Sequence, residues 1–292
     1  YRNEPGEGDD GRVDPSIDAF YNVLPSVTAA VTANTDFGDV EVDERQVNLD
    51  RFALFFPERR DFFLEDALIF DFGDISQNGR PFFSRRIGIS DTGEEVGIDV
   101  GGKVTGRLGP VKFGLLDTYL EDNDDLGPQN LFVGRAAANV FGESTIGAIV
   151  THGDPNSRDD ATTFGFDFLY RESNFAGTGN SARLSAWYAK SMNPGNRHNN
   201  NGYGLKLEYP NDQIFWLAGF EELQKHYRPA LGFVNRADIR HWFGVFRYRT
   251  RPDDHPIVRD GLVAVLETQP DYENVGDVGD GSEVLALSLI HI

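Results

Sequence analysis

Residues 162–171 read TTFGFDFLYR. Phe164, Phe166, Phe168 and Tyr170 recur at every second position, opposite Thr163, Gly165, Asp167 and Arg171. Side chains alternate across a strand, so this stretch is a strand with one aromatic and one polar face. The same period runs through VGIDVGGKVTGRL at 96–108, where Val96, Ile98, Val100, Val104 and Leu108 fall on one face and Asp99, Lys103, Thr105 and Arg107 on the other. In GYGLKLEY at 202–209, Tyr203, Leu205, Leu207 and Tyr209 oppose Gly204, Lys206 and Glu208. Residues 17–23, 27–34, 132–140, 146–152, 184–188, 214–220 and 242–248 alternate in the same way. The chain is expected to be all-β.

The connections decide between a sandwich and a closed sheet. Short turns fall at LPS (24–26), GP (109–110), GE (142–143) and PND (210–212), with ESNFAGTGN (172–180) a longer member of that class. Between them come the polar connections EDNDDLGPQN (121–130), GDPNSRDDA (153–161), MNPGNRHNNN (192–201) and residues 223–240. Short and long alternate, as they do in an up-and-down barrel with tight turns at one rim and long loops at the other. Lys, Arg, Asp and Glu in mid-strand suit a wet lumen. Tyr170, Tyr188, Tyr203, Tyr209, Trp242 and Tyr248 lie near segment ends on the apolar face, as in interfacial aromatic girdles. The expected fold is an antiparallel transmembrane β-barrel, incomplete, with about a dozen strands; a soluble β-sandwich or lipocalin-like barrel is the alternative.

The same parity makes everything between the second strand and Val96 one long-rim connection, residues 36–95, far beyond an ordinary loop. It contains FALFFPERRDFFLED at 52–66. A segment so rich in phenylalanine would be sticky if it projected outward. It is expected to fold inward as a plug or constriction, packed through Phe52, Phe55, Phe56, Phe62, Phe63 and Leu64. Glu58, Arg59, Arg60, Asp61, Glu65, Arg85 and Arg86 would pair with one another or with lumen charges, either fixing the segment to the wall or lining a gate. Residues 43–56 could form a short helix ended by Pro57.

Composition narrows the partners. Lys and Arg number 27 against 47 Asp and Glu, a net charge of −20 that argues against nucleic acid. With Cys 0 there is no disulfide framework, thiolate site or cysteine nucleophile. No run approaches the 18 or so apolar residues of a transmembrane helix, which leaves a barrel open. The chain begins at Tyr1 without methionine or signal peptide, and its last residues, ALSLIHI, resemble adapter read-through. The sequence therefore reads as a fragment: 1–13 a loop remnant, 14–35 a first hairpin, 96–286 further strands, and 287–292 a non-native tail.

NTDFGDVEVDERQVNLDRFALFFPERRDFFLED at 34–66, with IFDFGD (69–74) and PFFSRRIG (81–88), closely resembles the hallmark of an uncharacterised bacterial family. In that family a C-terminal outer-membrane-type barrel follows a family-9-like carbohydrate-binding domain. Asn48, Leu49, Arg51, Phe52, Phe55, Phe56, Pro57, Glu58, Arg60, Phe62 to Glu65 and Ser84 to Gly88 match; Arg59 replaces Lys, Asp61 a Pro and Asp50 a Thr. YRPALGFVNRADIRHWFGVFRYRTRP (227–252) resembles its Pro-x-x-Gly-Phe-Val stretch. The resemblance implies a Gram-negative outer-membrane location, with membrane lipid and lipopolysaccharide as partners. Glycans would be reached through an N-terminal domain not contained here.

No catalytic set emerges. The 6 histidines form no HExxH or i, i+4 ligand pair, and there is no GxSxG elbow. The acidic runs EDNDD, RDD, PDD and DVGDGSE lack the EF-hand spacing and read as solvated rim charge, with weak calcium bridging to lipopolysaccharide phosphates as the alternative. Strand glycines read as relief of crowding or as bend points. No cofactor or metal site is assigned. The expected role is a pore, a solute-uptake channel or a membrane anchor. The alternatives are a surface hydrolase using rim carboxylates and a soluble carbohydrate-binding sandwich.

Overall fold

The alternating segments form strands in a computed structural model, which describes residues 17–34, 57–89, 96–121, 127–158, 160–195 and 197–249. Eleven strands pair in chain order: β1 (Ile17–Leu24), β2 (Val27–Ala33), β3 (Ile98–Leu108), β4 (Val111–Leu120), β5 (Gln129–Val140), β6 (Ser144–His152), β7 (Thr162–Glu172), β8 (Ala182–Met192), β9 (Asn201–Pro210), β10 (Ile214–Leu223) and β11 (Ile239–Tyr248). The order is that of an antiparallel up-and-down sheet, and among the described residues no pairing joins β11 to β1. Every tight turn falls at one edge of the strands and every long connection at the other. The expected helix at 43–56, the remnant 1–13 and the tail 287–292 lie outside the described residues.

The two faces of the sheet differ in what covers them. Val104, Leu115, Ile146, Phe166 and Leu205 point outward and are exposed, whereas Thr32, Lys103, Thr105, Thr118, Arg135, Thr151 and Ser185 are buried on the inner face. What buries them is the chain itself: residues 57–89 cross the inner face, joined by the connection after β10. Phe62, Phe63, Phe70, Phe72 and Ile87 of the crossing segment share one core with Leu116, Leu131, Val133, Ile149 and Trp187 of the strands.

The sequence pattern misplaces one pair of residues. Val96 and Ile98 share a parity with Val100, Val104 and Leu108, yet Ile98 is 0 % exposed and Val100 48 %. The register shifts between Ile98 and Val100 opposite Leu120 and Tyr119, so Asp99 is an extra residue in β3. Such a bulge swaps the faces on its two sides. Val96 and Ile98 therefore join the inner core, and the strand beyond them turns its valines outward.

The described residues divide into two compact units, one reaching to Pro210 and including Trp216–Val245, the other holding Asn211–Phe215 and the described residues from Phe246. Within the second, Arg249 pairs with Asp212 at 2.8 Å and the Arg247 guanidinium lies over the Phe215 ring.

Candidate functional site

Residues 57–89 carry most of the expected site residues, and their chemistry starts with a local fold-back. The Arg60 guanidinium takes both oxygens of Glu58, at 2.9 and 2.8 Å, and donates onward to the carbonyls of Ile87 at 2.7 Å and Ser84 at 3.0 Å. It also lies 4.2 Å from the centre of the Phe63 ring. One buried fork therefore ties the start of the segment to its end. Burial alone would push the Glu58 carboxyl up; the hydrogen bonds and charge of Arg60 outweigh it and hold the group below its ordinary value.

A single helical turn follows, α1 (Asp61–Leu64). Asp61 is its first residue, an N-terminal position that suits an acidic side chain through the helix dipole and suits proline through its fixed φ. The turn buries Phe62 and Phe63 and leaves Leu64 45 % exposed, so Leu64 does not share their packing. Arg59, Asp61 and Glu65 are also exposed, and Arg85 and Arg86 are half-buried. Arg85 donates to the Pro57 carbonyl at 3.1 Å. Phe52, Phe55 and Phe56 lie outside the described residues.

The groups that hold the segment to the sheet sit on the strands, and the motif alone does not reveal them. Lys103 on β3 donates to the carbonyls of Phe62 and Glu65, both at 2.5 Å, and Thr105 donates to Asp66 at 2.6 Å. Arg135 on β5 forms a two-point pair with Asp167 on β7, at 2.6 and 2.9 Å, and also reaches the Asp71 carbonyl. Asp167 accepts from the Gly73 amide at 3.1 Å, while Ser185 on β8 donates to the Gly73 carbonyl at 2.8 Å. Lys206 on β9 pairs with Asp74. The available signal was the charge at mid-strand on the polar face, Lys103, Asp167 and Lys206 among it. Which partner each would take depends on a segment distant in sequence.

Two strand glycines, Gly114 on β4 and Gly165 on β7, are sockets for phenylalanine. A Cβ on Gly114 would lie 2.7 Å from the tip of the Phe70 ring, and one on Gly165 would lie 2.7 Å from that of Phe72. The rings sit against bare backbone. A second connection locks the return of the segment: the Gly79 amide donates to Phe233, Phe233 to Arg80, and Phe83 to Leu231, at 2.8–3.0 Å. The buried Tyr227 hydroxyl donates to the Gly79 carbonyl at 3.0 Å, and burial pushes that phenol's pKa up. The two stretches that carry the family resemblance thus meet in space, as an antiparallel bridge at Arg80 and Phe233.

Chemically the arrangement offers buried ion pairs and two cavities, about 520 and 370 Å³, between the segment and the strands. Among the described residues no three His, Cys, Asp or Glu cluster as a metal site would require. Residues 4–105 match the model of a domain of unknown function, DUF5916. A stretch of 37 residues is 54% identical to the transcriptional regulatory protein LiaR of Bacillus subtilis (strain 168), covering 13% of this chain and 18% of that protein. The chain thus spans less than a fifth of that curated relative. No solved structure matches.

Proposed function

We propose that this chain is the membrane-embedded β-barrel domain of a bacterial outer-membrane protein, with residues 57–89 of the long connection 36–95 folded into the lumen as a plug or constriction. The observation that carries this reading is the uncovered apolar face of the sheet. Apolar side chains on the uncovered face would be costly in water but suit a hydrocarbon boundary, and the charged groups Lys103, Arg135 and Asp167 on the covered face suit a lumen. Strands β3–β11, 9–12 residues long, have the reach of tilted membrane-spanning strands. The absence of a long apolar helix among the described residues has no bearing on a barrel. In this reading the domain serves as a solute channel closed at rest or as an anchor for a neighbouring glycan-binding domain, with lipid and lipopolysaccharide around it. Glu58, Arg60, Phe62 and Phe63 hold the plug together, and Lys103, Arg135, Asp167 and Lys206 hold it to the wall.

The test is biochemical. The protein should fractionate with outer membranes, require detergent for extraction and migrate faster on gels before heating than after. A monomer soluble without detergent would sink the proposal. Deleting residues 36–95 should raise planar-bilayer conductance, and unchanged conductance would refute the plug while leaving the barrel standing.

A further inference from the structure

The two cavities meet at one layer of four residues. The larger, toward the tight-turn edge, is bounded by Lys112, Arg135, Asn139, Thr145 and Lys206 of the strands. The smaller lies against Glu58, Phe63, Ser84, Lys103 and Leu116. Phe70, Asp71, Arg80 and Phe82 line both. Within that layer the Phe70 and Phe82 rings pack 5.5 Å apart, tilted by 57°. Asp71 lies in the field of both Arg80 and Arg135. Arg80 is held in place by its bond to the Ser76 carbonyl at 2.6 Å and by its backbone bridge to Phe233.

Resting on the reading of the sheet as a lumen wall, we propose that Phe70, Asp71, Arg80 and Phe82 are the closed gate between two chambers of one conduction path, and that the path carries small anions. An apolar ring pair closes a narrow passage by excluding water, and Arg and Lys linings favour anions. In a chain of net charge −20, the larger chamber is lined by Arg80, Lys112, Arg135 and Lys206 against Asp71, Asp74 and Asp167. Asp167 is taken by Arg135 and Asp74 by Lys206. Lys112 has no carboxylate partner among the described residues, which leaves a basic group facing the chamber. Phe82 is only partly buried against the core, so truncating it opens the layer with limited loss of packing.

The experiment is single-channel recording of the intact protein in planar bilayers under a potassium chloride gradient, with chloride as the probe anion. Phe82→Ala should raise conductance severalfold, and its reversal potential should report chloride selectivity. Adding Lys112→Glu should move that potential toward potassium. Arg80→Ala removes the longest side chain of the layer and leaves its backbone bridge to Phe233 available, so it should also raise conductance, which keeps the gate testable should Phe82→Ala fail to insert. Heat-modifiable variants that conduct like the parent overturn the gate. Opened variants selective for potassium overturn the anion assignment. A protein that never enters the membrane fraction overturns the lumen reading instead, and this proposal falls with it.

Discussion

A methyl group at Gly165 would press on the Phe72 ring at 2.7 Å, whereas one at Gly102, paired with Val31 on β2, would meet nothing within 4 Å. Gly165→Ala should therefore cost about 1–3 kcal/mol through overpacking. Gly102→Ala should be neutral or slightly stabilising, since it only restricts the unfolded chain. Urea midpoints of the two variants check the contrast, and equal midpoints would remove the socket account. The Glu58 carboxyl makes a second residue-scale prediction. Its folded pKa lies below the ordinary 4.5, so the stability it contributes is complete above that value and is lost as pH falls through the depressed one. Unfolding midpoints should drop with acidification in that window, and Glu58→Gln should flatten the drop. In sequence Gly102 and Gly165 are indistinguishable, both interrupting an alternating run. Only the path of a segment some ninety residues away from Gly165 decides which of the two receives a ring, and periodicity carries no information about that path.

At the scale of elements, strands and turns were legible because each is set locally: a period of two, Gly, Pro and Asn at the turns, and an alternation of short and long connections that only the β7–β8 connection blurs. The Asp99 bulge was not, because an extra residue is visible only against the partner strand. The same holds for the connection after β10, whose Gly232 has a role that becomes clear only beside Arg80. A Cβ at Gly232 would clash with the Arg80 carbonyl and with Pro229. Gly232→Ala should part the bridge between the two connections and loosen residues 78–83. The expected outcome is earlier proteolytic cleavage at the exposed Ser76–Gln77 stretch with the sheet intact. Unchanged cleavage would mean that Tyr227 and Phe233 hold the segment without the bridge. The charges inside the motif were read as a group, and the structure separates them. Glu58 and Arg60 close the segment on itself, while Arg59, Asp61 and Glu65 are exposed.

For the whole molecule the decisive question is what lies against the apolar face. Leu115 sits mid-strand between Val104 on β3 and Gly134 on β5 and is exposed. If that face meets hydrocarbon, Leu115→Arg should destabilise the folded, membrane-inserted state by about 2–4 kcal/mol. If it meets water, the same change should stay within about 0.5 kcal/mol. Unfolding of the lipid-reconstituted protein distinguishes the two. The crossing segment belongs to one connection between two strands. It leaves after β2 and re-enters at β3, neighbouring strands whose ends are already joined where the Asn34 amide donates to the Asp99 carbonyl at 3.1 Å. A two-residue hairpin could join those ends, since paired strands lie only about 4.8 Å apart. In topological terms residues 57–89 are a cassette carried between two neighbouring strands: taking them out alters the order of no strand among those described, so what lies on the inner face can be changed separately from that order.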